Sequence, residues 1–182
     1  MNTLAPASAG TRAWVQDSPL GALRVSVGEA GLRSIDFGGR PGAPSGPPEP
    51  TVAAALAAYF AGELSALDEL AVDLDARPPF TRTVLGALRR VGPGQLTTYG
   101  ALAAAVGRPL ASRAVGRVMG ANPLPIVIPC HRVLAGGGSL GGYSGGLEVK
   151  GWLLAHEGHE GAWSRRRQAR AGSATSTPSR RR

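Results

Sequence analysis

Cys130 is the only cysteine of the chain, and His131 follows it directly. A thiolate is a strong nucleophile, and a neighbouring imidazole is the simplest base that could generate one. The pair closes an apolar run, Ile126-Val127-Ile128, with Pro129 between the run and the sulfur. Proline restricts the backbone there, and His131-Arg132 supplies positive charge that is expected to lower the thiol pKa. A lone cysteine is more often a small buried hydrophobe than a nucleophile; its neighbours set this one apart. Two glycine-rich stretches follow, Gly136-Gly137-Gly138 and Gly141-Gly142-Tyr143-Ser144-Gly145-Gly146, and then a helical pattern ending in Glu157. A thiol, a base, a pliant wall and a later carboxylate are the parts of a nucleophilic transfer site.

Those parts need a scaffold, and 182 residues are enough for one large domain or two small ones. One cysteine excludes a disulfide framework and a cysteine-rich zinc site. No histidine precedes His131, and His156 with His159 reads as incidental, so neither metal nor cofactor is expected. No apolar stretch approaches the ~18 residues of a membrane span. Residues 1–10 lack the basic-then-apolar order of a signal peptide. The expectation is a cytoplasmic protein without a membrane partner. Residues 1–75 carry four basic and nine acidic side chains, residues 76–160 nine basic and three acidic, and residues 161–182 seven arginines and no acid. An acidic first part beside a basic remainder, with a net charge of +8, suggests that the later part meets a polyanion.

Along the chain, residues 20–37 read as two strands, with Leu23, Val25 and Val27 facing inward and a turn at Gly28-Glu29-Ala30-Gly31. Residues 38–50 are a Gly/Pro loop, residues 51–63 an alanine-rich helix, and residues 64–75 a link with strand character at Leu70, Val72 and Leu74. Phe80, Val84, Leu88 and Val91 recur at helical spacing until Gly92-Pro93-Gly94. Thr97 or Thr98 is placed to cap a helix holding Leu102 and Val106, and a further helix is expected over residues 111–119. Two short helices across a glycine-containing break form a helix-turn-helix candidate. A last helix spans residues 147–156, and residues 161–182 read as a disordered arginine-rich tail.

The run Thr98-Tyr99-Gly100, Arg113-Ala114-Val115-Gly116, Asn122-Pro123, Pro125-Ile126-Val127-Ile128-Pro129-Cys130-His131-Arg132-Val133, Gly142-Tyr143-Ser144-Gly145-Gly146-Leu147, Lys150 and Leu153-Leu154-Ala155-His156-Glu157-Gly158 closely resembles the O6-alkylguanine-DNA alkyltransferases, also called methylated-DNA–protein-cysteine methyltransferases. The likeness covers about residues 79–160 and is loose before them, chiefly Ser18-Pro19-Leu20-Gly21. It implies an α/β domain over residues 1–76, with a small ribonuclease-H-like sheet and a helix. A mainly helical, winged-helix-like catalytic and DNA-binding domain would follow over residues 77–160.

The implied activity is direct DNA repair: one irreversible transfer of an alkyl group from guanine O6 to Cys130, once per protein molecule. Whether O4-alkylthymine is also accepted stays open. The partner is double-stranded DNA carrying O6-alkylguanine, and the protein is expected as a monomer. His131 would take the thiol proton through a bridging water, since neighbours in extended chain point to opposite faces. Glu157 would hold the other ring nitrogen. Tyr99 would donate to the departing guanine, and Asn122 would brace the cysteine turn. Val133, Tyr143, Ser144, Gly145, Pro125 and Met119 are the implied substrate contacts. Alkylated O6 lies inside the stack, so the base must be flipped out. Arg113 would fill the gap, while Ala111, Ser112, Ala114 and Gly116 let their helix approach a minor groove. Two rivals remain: a non-catalytic sensor of alkylated bases, which the presence of Cys130 disfavours, and a cysteine hydrolase, which the basic helix pair disfavours.

Overall fold

The computed structural model describes residues 10–38 and 45–159. The arginine-rich residues 161–182, residues 1–9 and part of the Gly/Pro loop lie outside the described residues.

The chain combines a small sheet with helices. Strands β1 (Arg12–Gln16), β2 (Leu23–Gly28) and β3 (Gly31–Phe37) form an antiparallel sheet in that order. Val25 faces Trp14 on one side and Ile35 on the other, and all three are buried. The alternation of Leu23, Val25 and Val27 thus marks the inner face. Ser26, between them, is also buried, and its hydroxyl pairs with that of Ser34 across the strands at 2.9 Å. Strand β1 departs from the two-strand expectation. Adjacent residues Ala13 and Trp14 are both buried: Trp14 lies in the core opposite Val25, while Ser45 covers Ala13, its N–H donating to the Ala13 carbonyl at 2.8 Å and its hydroxyl accepting from Ala13 N–H at 3.0 Å. Gly31 has φ +128°, and a Cβ there would meet the Ala71 carbonyl oxygen at 2.5 Å. That close approach is the strand character of the link: Leu32 and Val72 form a single parallel bridge.

Helix α1 (Pro50–Phe60) is capped by Glu49, whose carboxylate accepts from Val52 N–H at 2.7 Å. It buries Val52, Leu56 and Tyr59 and stops before residue 63, at Ala61 and Gly62. Helix α2 (Pro79–Arg89) buries Val84, Leu85, Ala87 and Leu88. The two-residue strand β4 (Thr97–Thr98) runs into α3 (Tyr99–Ala105), which Thr98 caps through Ala101 N–H at 3.1 Å. Helix α4 (Ser112–Gly120) follows the break at Gly107 and buries Val115, Val118 and Met119. After a 3-10 turn at Cys130–Arg132 comes β5 (Val133–Leu134), which pairs in parallel with β4, Thr97 opposite Val133. That short ladder fastens the start of α3 to the exit of the cysteine turn. Helix α5 (Leu147–His156) spans the residues its pattern indicated. One hydrophobic core runs from Trp14 to Leu153 and joins the sheet to the helices. Among the described residues no helix is long and apolar enough to cross a membrane.

Candidate active site

The loop before the cysteine is wound tightly. Asn122 and Pro123 leave α4, and the Asn122 side-chain oxygen accepts from Leu124 N–H at 3.0 Å. Ile128 N–H then donates to the Leu124 carbonyl at 2.8 Å. Between them Ile126 holds φ +76°, a left-handed conformation that strains a β-branched residue. Its side chain is buried, so packing holds the strained backbone in place. At Pro129 (φ −80°, ψ 65°) the chain makes an inverse γ-turn, with Cys130 N–H on the Ile128 carbonyl at 2.8 Å. Asn122 closes this loop from the side: its Nδ2 donates to the Ile128 carbonyl at 2.8 Å and to the Cys130 sulfur at 3.2 Å.

Cys130 and His131 are not in extended chain, which corrects the sequence-based geometry. They open a 3-10 turn, where successive side chains diverge by about a third of a turn. The sulfur faces a cavity of about 300 Å³, while His131 and Arg132 turn inward to Glu157. His131 Nε2 lies 2.9 Å from Glu157 Oε1. His131 Nδ1 is buried and has no hydrogen-bond partner among the described residues. Arg132 donates through Nε to Oε2 and through Nη2 to Oε1, each at 2.7 Å, and reaches the Val91 carbonyl through Nη1. Tyr59 from α1 donates its hydroxyl to the same Oε1 at 2.8 Å. Glu157, far from being an exposed helix-end glutamate, is 4% exposed and held by three side chains.

The charges follow from these contacts. Burial alone would raise the Glu157 pKa, but hydrogen bonds from Arg132 and His131 outweigh it and hold the carboxylate well below its ordinary range. Burial pushes His131 down, against the pull of Glu157. Burial also pushes the Cys130 thiol up, with Asn122, Tyr143 and Lys150 opposing. The expectation that Arg132 lowers the thiol pKa is therefore corrected: its guanidinium is engaged by Glu157, and the cation acting on the sulfur is Lys150. Lys150, the only lysine of the chain, is fully buried. Its ammonium donates to the Val133 carbonyl at 2.6 Å and to the Leu140 carbonyl, and burial lowers its pKa to about 8.

The cavity is lined by Tyr99, Met119, Cys130, Tyr143 and Ser144, with Gly116, Gly120 and Gly142. The Tyr143 hydroxyl is buried beside the sulfur without a hydrogen bond of ordinary geometry; burial and then the Cys130 charge raise its pKa well above the usual value. Burial, followed by Cys130, raises Tyr99 as well. The glycine loop passes over Tyr99, and a Cβ at Gly141 (φ +65°) would sit 3.5 Å from its hydroxyl. Three expected contacts do not line this cavity. Pro125 and Val133 are buried behind it, and the Val133 carbonyl already accepts from Lys150. Gly145 acts one layer back: a Cβ there would come within 2.9 Å of both Phe37 and Tyr143, whose rings pack 6.3 Å apart.

Arg113 and Ser112 are exposed on α4, with Ala111 and Ala114 half-buried. Arg113, Ser112 and Gly116 line a wider groove that shares Tyr99 with the cysteine cavity. Sequence reasoning assigned no role to Lys150 or Tyr59, and gave Arg132 the sulfur rather than Glu157 as its target. Its uniqueness could have marked Lys150; Tyr59 reads only as the apolar face of a helix.

The family model described as the 6-O-methylguanine DNA methyltransferase DNA-binding domain matches residues 79–159. The human methylated-DNA–protein-cysteine methyltransferase is 45% identical over 163 residues, covering 79% of this chain and 78% of that protein. The chain belongs to the methylated-DNA–protein-cysteine methyltransferase family. A second member, from Mycolicibacterium paratuberculosis, is 41% identical over 149 residues, covering 78% of this chain and 88% of that protein. The crystal structure of Mycobacterium tuberculosis OGT in complex with DNA superposes with a TM-score of 0.69 at 34% identity, covering 82% of this chain and 92% of that one. Among the described residues no group of three or more His, Cys, Asp or Glu could hold a metal ion.

Proposed function

We propose that this methyltransferase repairs O6-alkylguanine in double-stranded DNA by a single transfer to Cys130. The observation that carries the mechanism is one sulfur at the wall of a base-sized cavity, backed by His131 and a buried, fully partnered Glu157. The Cys130 proton passes through a bridging water to His131 Nδ1, the buried nitrogen with no partner among the described residues. Glu157 stabilises the resulting imidazolium. The thiolate attacks the alkyl carbon in line; the S–C bond forms as the C–O6 bond breaks, and the electron pair stays on guanine. Tyr99 donates a proton to the guanine ring, which ends neutral, and the proton taken up by His131 is passed back through water to restore Tyr99. A thioether does not hydrolyse in water, so the acceptor is spent.

Tyr143, Ser144 and Met119 hold the flipped base, with Gly145 behind Tyr143. The Val133 carbonyl keeps a second lone pair for a base edge, while Pro125 shapes the loop from beneath. Arg113 enters the vacated stack, and Ala111, Ser112, Ala114 and Gly116 let α4 lie close to the minor groove. In this reading residues 77–160 form the winged-helix-like catalytic unit, residues 1–76 a reduced ribonuclease-H-like unit, and the protein works as a monomer where the genome is, in the cytoplasm or, in a eukaryote, the nucleus.

The test is intact-protein mass after incubation with DNA containing O6-methylguanine. A permanent gain of one methyl on Cys130, absent in Cys130→Ala, is expected. Tight binding without mass gain would make the protein a sensor, and catalytic turnover of an ester would make it a hydrolase.

A further inference from the structure

Tyr59 lies 98 residues from Glu157 in sequence, yet its hydroxyl occupies the same carboxylate oxygen that faces His131. It is delivered by α1, and among the described residues before α2 no other side chain hydrogen-bonds to this carboxylate. Tyr59 is completely buried, and its ring packs edge-on against Phe60 and His156 at 5.3 and 5.1 Å. The fastening is double. His156, next to Glu157 in sequence, places Nε2 2.8 Å from the Tyr59 carbonyl oxygen. Backbone and side chain of one residue therefore hold the end of α5. A tyrosine chosen for packing alone would need only its ring here, since phenylalanine fills nearly the same volume.

We propose that Tyr59 is a positioning residue for the proton relay: its hydroxyl fixes Glu157 Oε1 against His131 and draws negative charge away from that contact. This rests on the relay read above. Burial and the Glu157 charge raise the phenol far above its ordinary range, so it remains a donor throughout the working range of pH. The other groups facing the cluster are Arg132 on Glu157, Lys150 and Arg132 on His131, and Asn122, Tyr143 and Lys150 on the sulfur. None of these replaces the phenol hydroxyl at Oε1 from the α1 side.

The sign follows from where the charge goes. Without the hydroxyl, Oε1 is shared by His131 and Arg132 alone. The imidazolium that forms when Cys130 ionises is then better stabilised, and ionisation moves to lower pH. Tyr59→Phe is expected to shift the midpoint of the Cys130 rate–pH profile downward by about half a unit, read with iodoacetamide and with O6-benzylguanine. Replacing Tyr59 with 3-fluorotyrosine, a stronger donor of similar size, should shift it the other way and keeps the test alive if Tyr59→Phe does not fold. In a chain already carrying Glu157→Gln, both shifts should vanish. A midpoint that ignores Tyr59 while still responding to Glu157→Gln removes Tyr59 from the relay and leaves it a packing residue. A midpoint that ignores Glu157→Gln removes the relay itself.

Discussion

Replacing Glu157 by glutamine should have two separable consequences. The change keeps size and removes one negative charge from a site that is 4% exposed. It leaves the Arg132 guanidinium, itself 5% exposed, without the carboxylate that takes two of its donors at 2.7 Å. Removing one partner of a buried pair costs about 3–5 kcal/mol, because the other charge stays buried and uncompensated. Domains of this kind have about 5–15 kcal/mol in total, and such a loss corresponds to a melting temperature lower by about 10 °C. Coupling the change with Arg132→Met removes the stranded charge, and much of the stability should return.

The chemistry should not return with it. Without the carboxylate, His131 is a weaker base, and the Cys130 ionisation should move up by about one unit, a rate loss of about tenfold at neutral pH. The carboxylate also gives an acid signature. Its pKa is depressed in the folded protein, so its stabilisation is complete above the ordinary glutamate value and is lost as pH falls below it. Urea melts of wild type, Glu157→Gln and Arg132→Met/Glu157→Gln, paired with iodoacetamide rates against pH, measure both parts. If the double variant recovered neutral-pH reactivity along with stability, Glu157 would be a structural counter-ion and the relay would be wrong.

Arg113→Ala should slow transfer from alkylated duplex about tenfold or more while barely affecting free O6-benzylguanine, since only the duplex requires a base to be flipped; equal slowing of both refutes the flipping role. Gly145→Ala forces a Cβ to within 2.9 Å of Phe37 and Tyr143, and should lower stability by about 1–3 kcal/mol and slow transfer through a displaced Tyr143, read from melts and benzylguanine rates. Lys150 titrates near 8 in the folded chain, against 10.5 ordinarily, so the unfolded chain holds its proton over that interval and stability gains with rising pH there. Lys150→Met should abolish that gain in urea melts taken across the interval. Deleting residues 161–182 removes seven arginines and should weaken binding to alkylated and plain DNA alike, with a shallower salt dependence in filter or anisotropy titrations.

How much of this was legible in the chain depended on whether a residue's partner lay nearby in sequence. The Leu147–His156 helix, the Thr98 cap and the strands around Val25 follow from local periodicity and capping, and the structure has them. Strand β1 escaped because Ala13, Trp14 and Val15 are apolar in a row although Val15 is exposed, which hides the alternation that would reveal it. The paired β4 and β5 are two residues each, too short for any periodic signal. Within the site, the cysteine run announced the nucleophile, but its geometry depended on a 3-10 turn that an extended reading of Pro129-Cys130-His131 could not foresee. The role of Arg132 changed for the same reason: adjacency placed its charge near the sulfur, and the turn carried it to Glu157. Tyr59 left no trace, since a hydroxyl on an apolar helix face looks like any packed aromatic.

The contact between Tyr59 and Glu157 also bears on biosynthesis. A chain is made from its N-terminus, so α1, the helix pair and the cysteine loop are all synthesised before the end of α5. Until residue 157 arrives, Tyr59, His131 and Arg132 lack the group that joins them. The nascent protein therefore carries its one thiol beside a base, His131, that still lacks the carboxylate holding it. An acceptor used only once thus gains its complete relay only with one of the last residues of the fold.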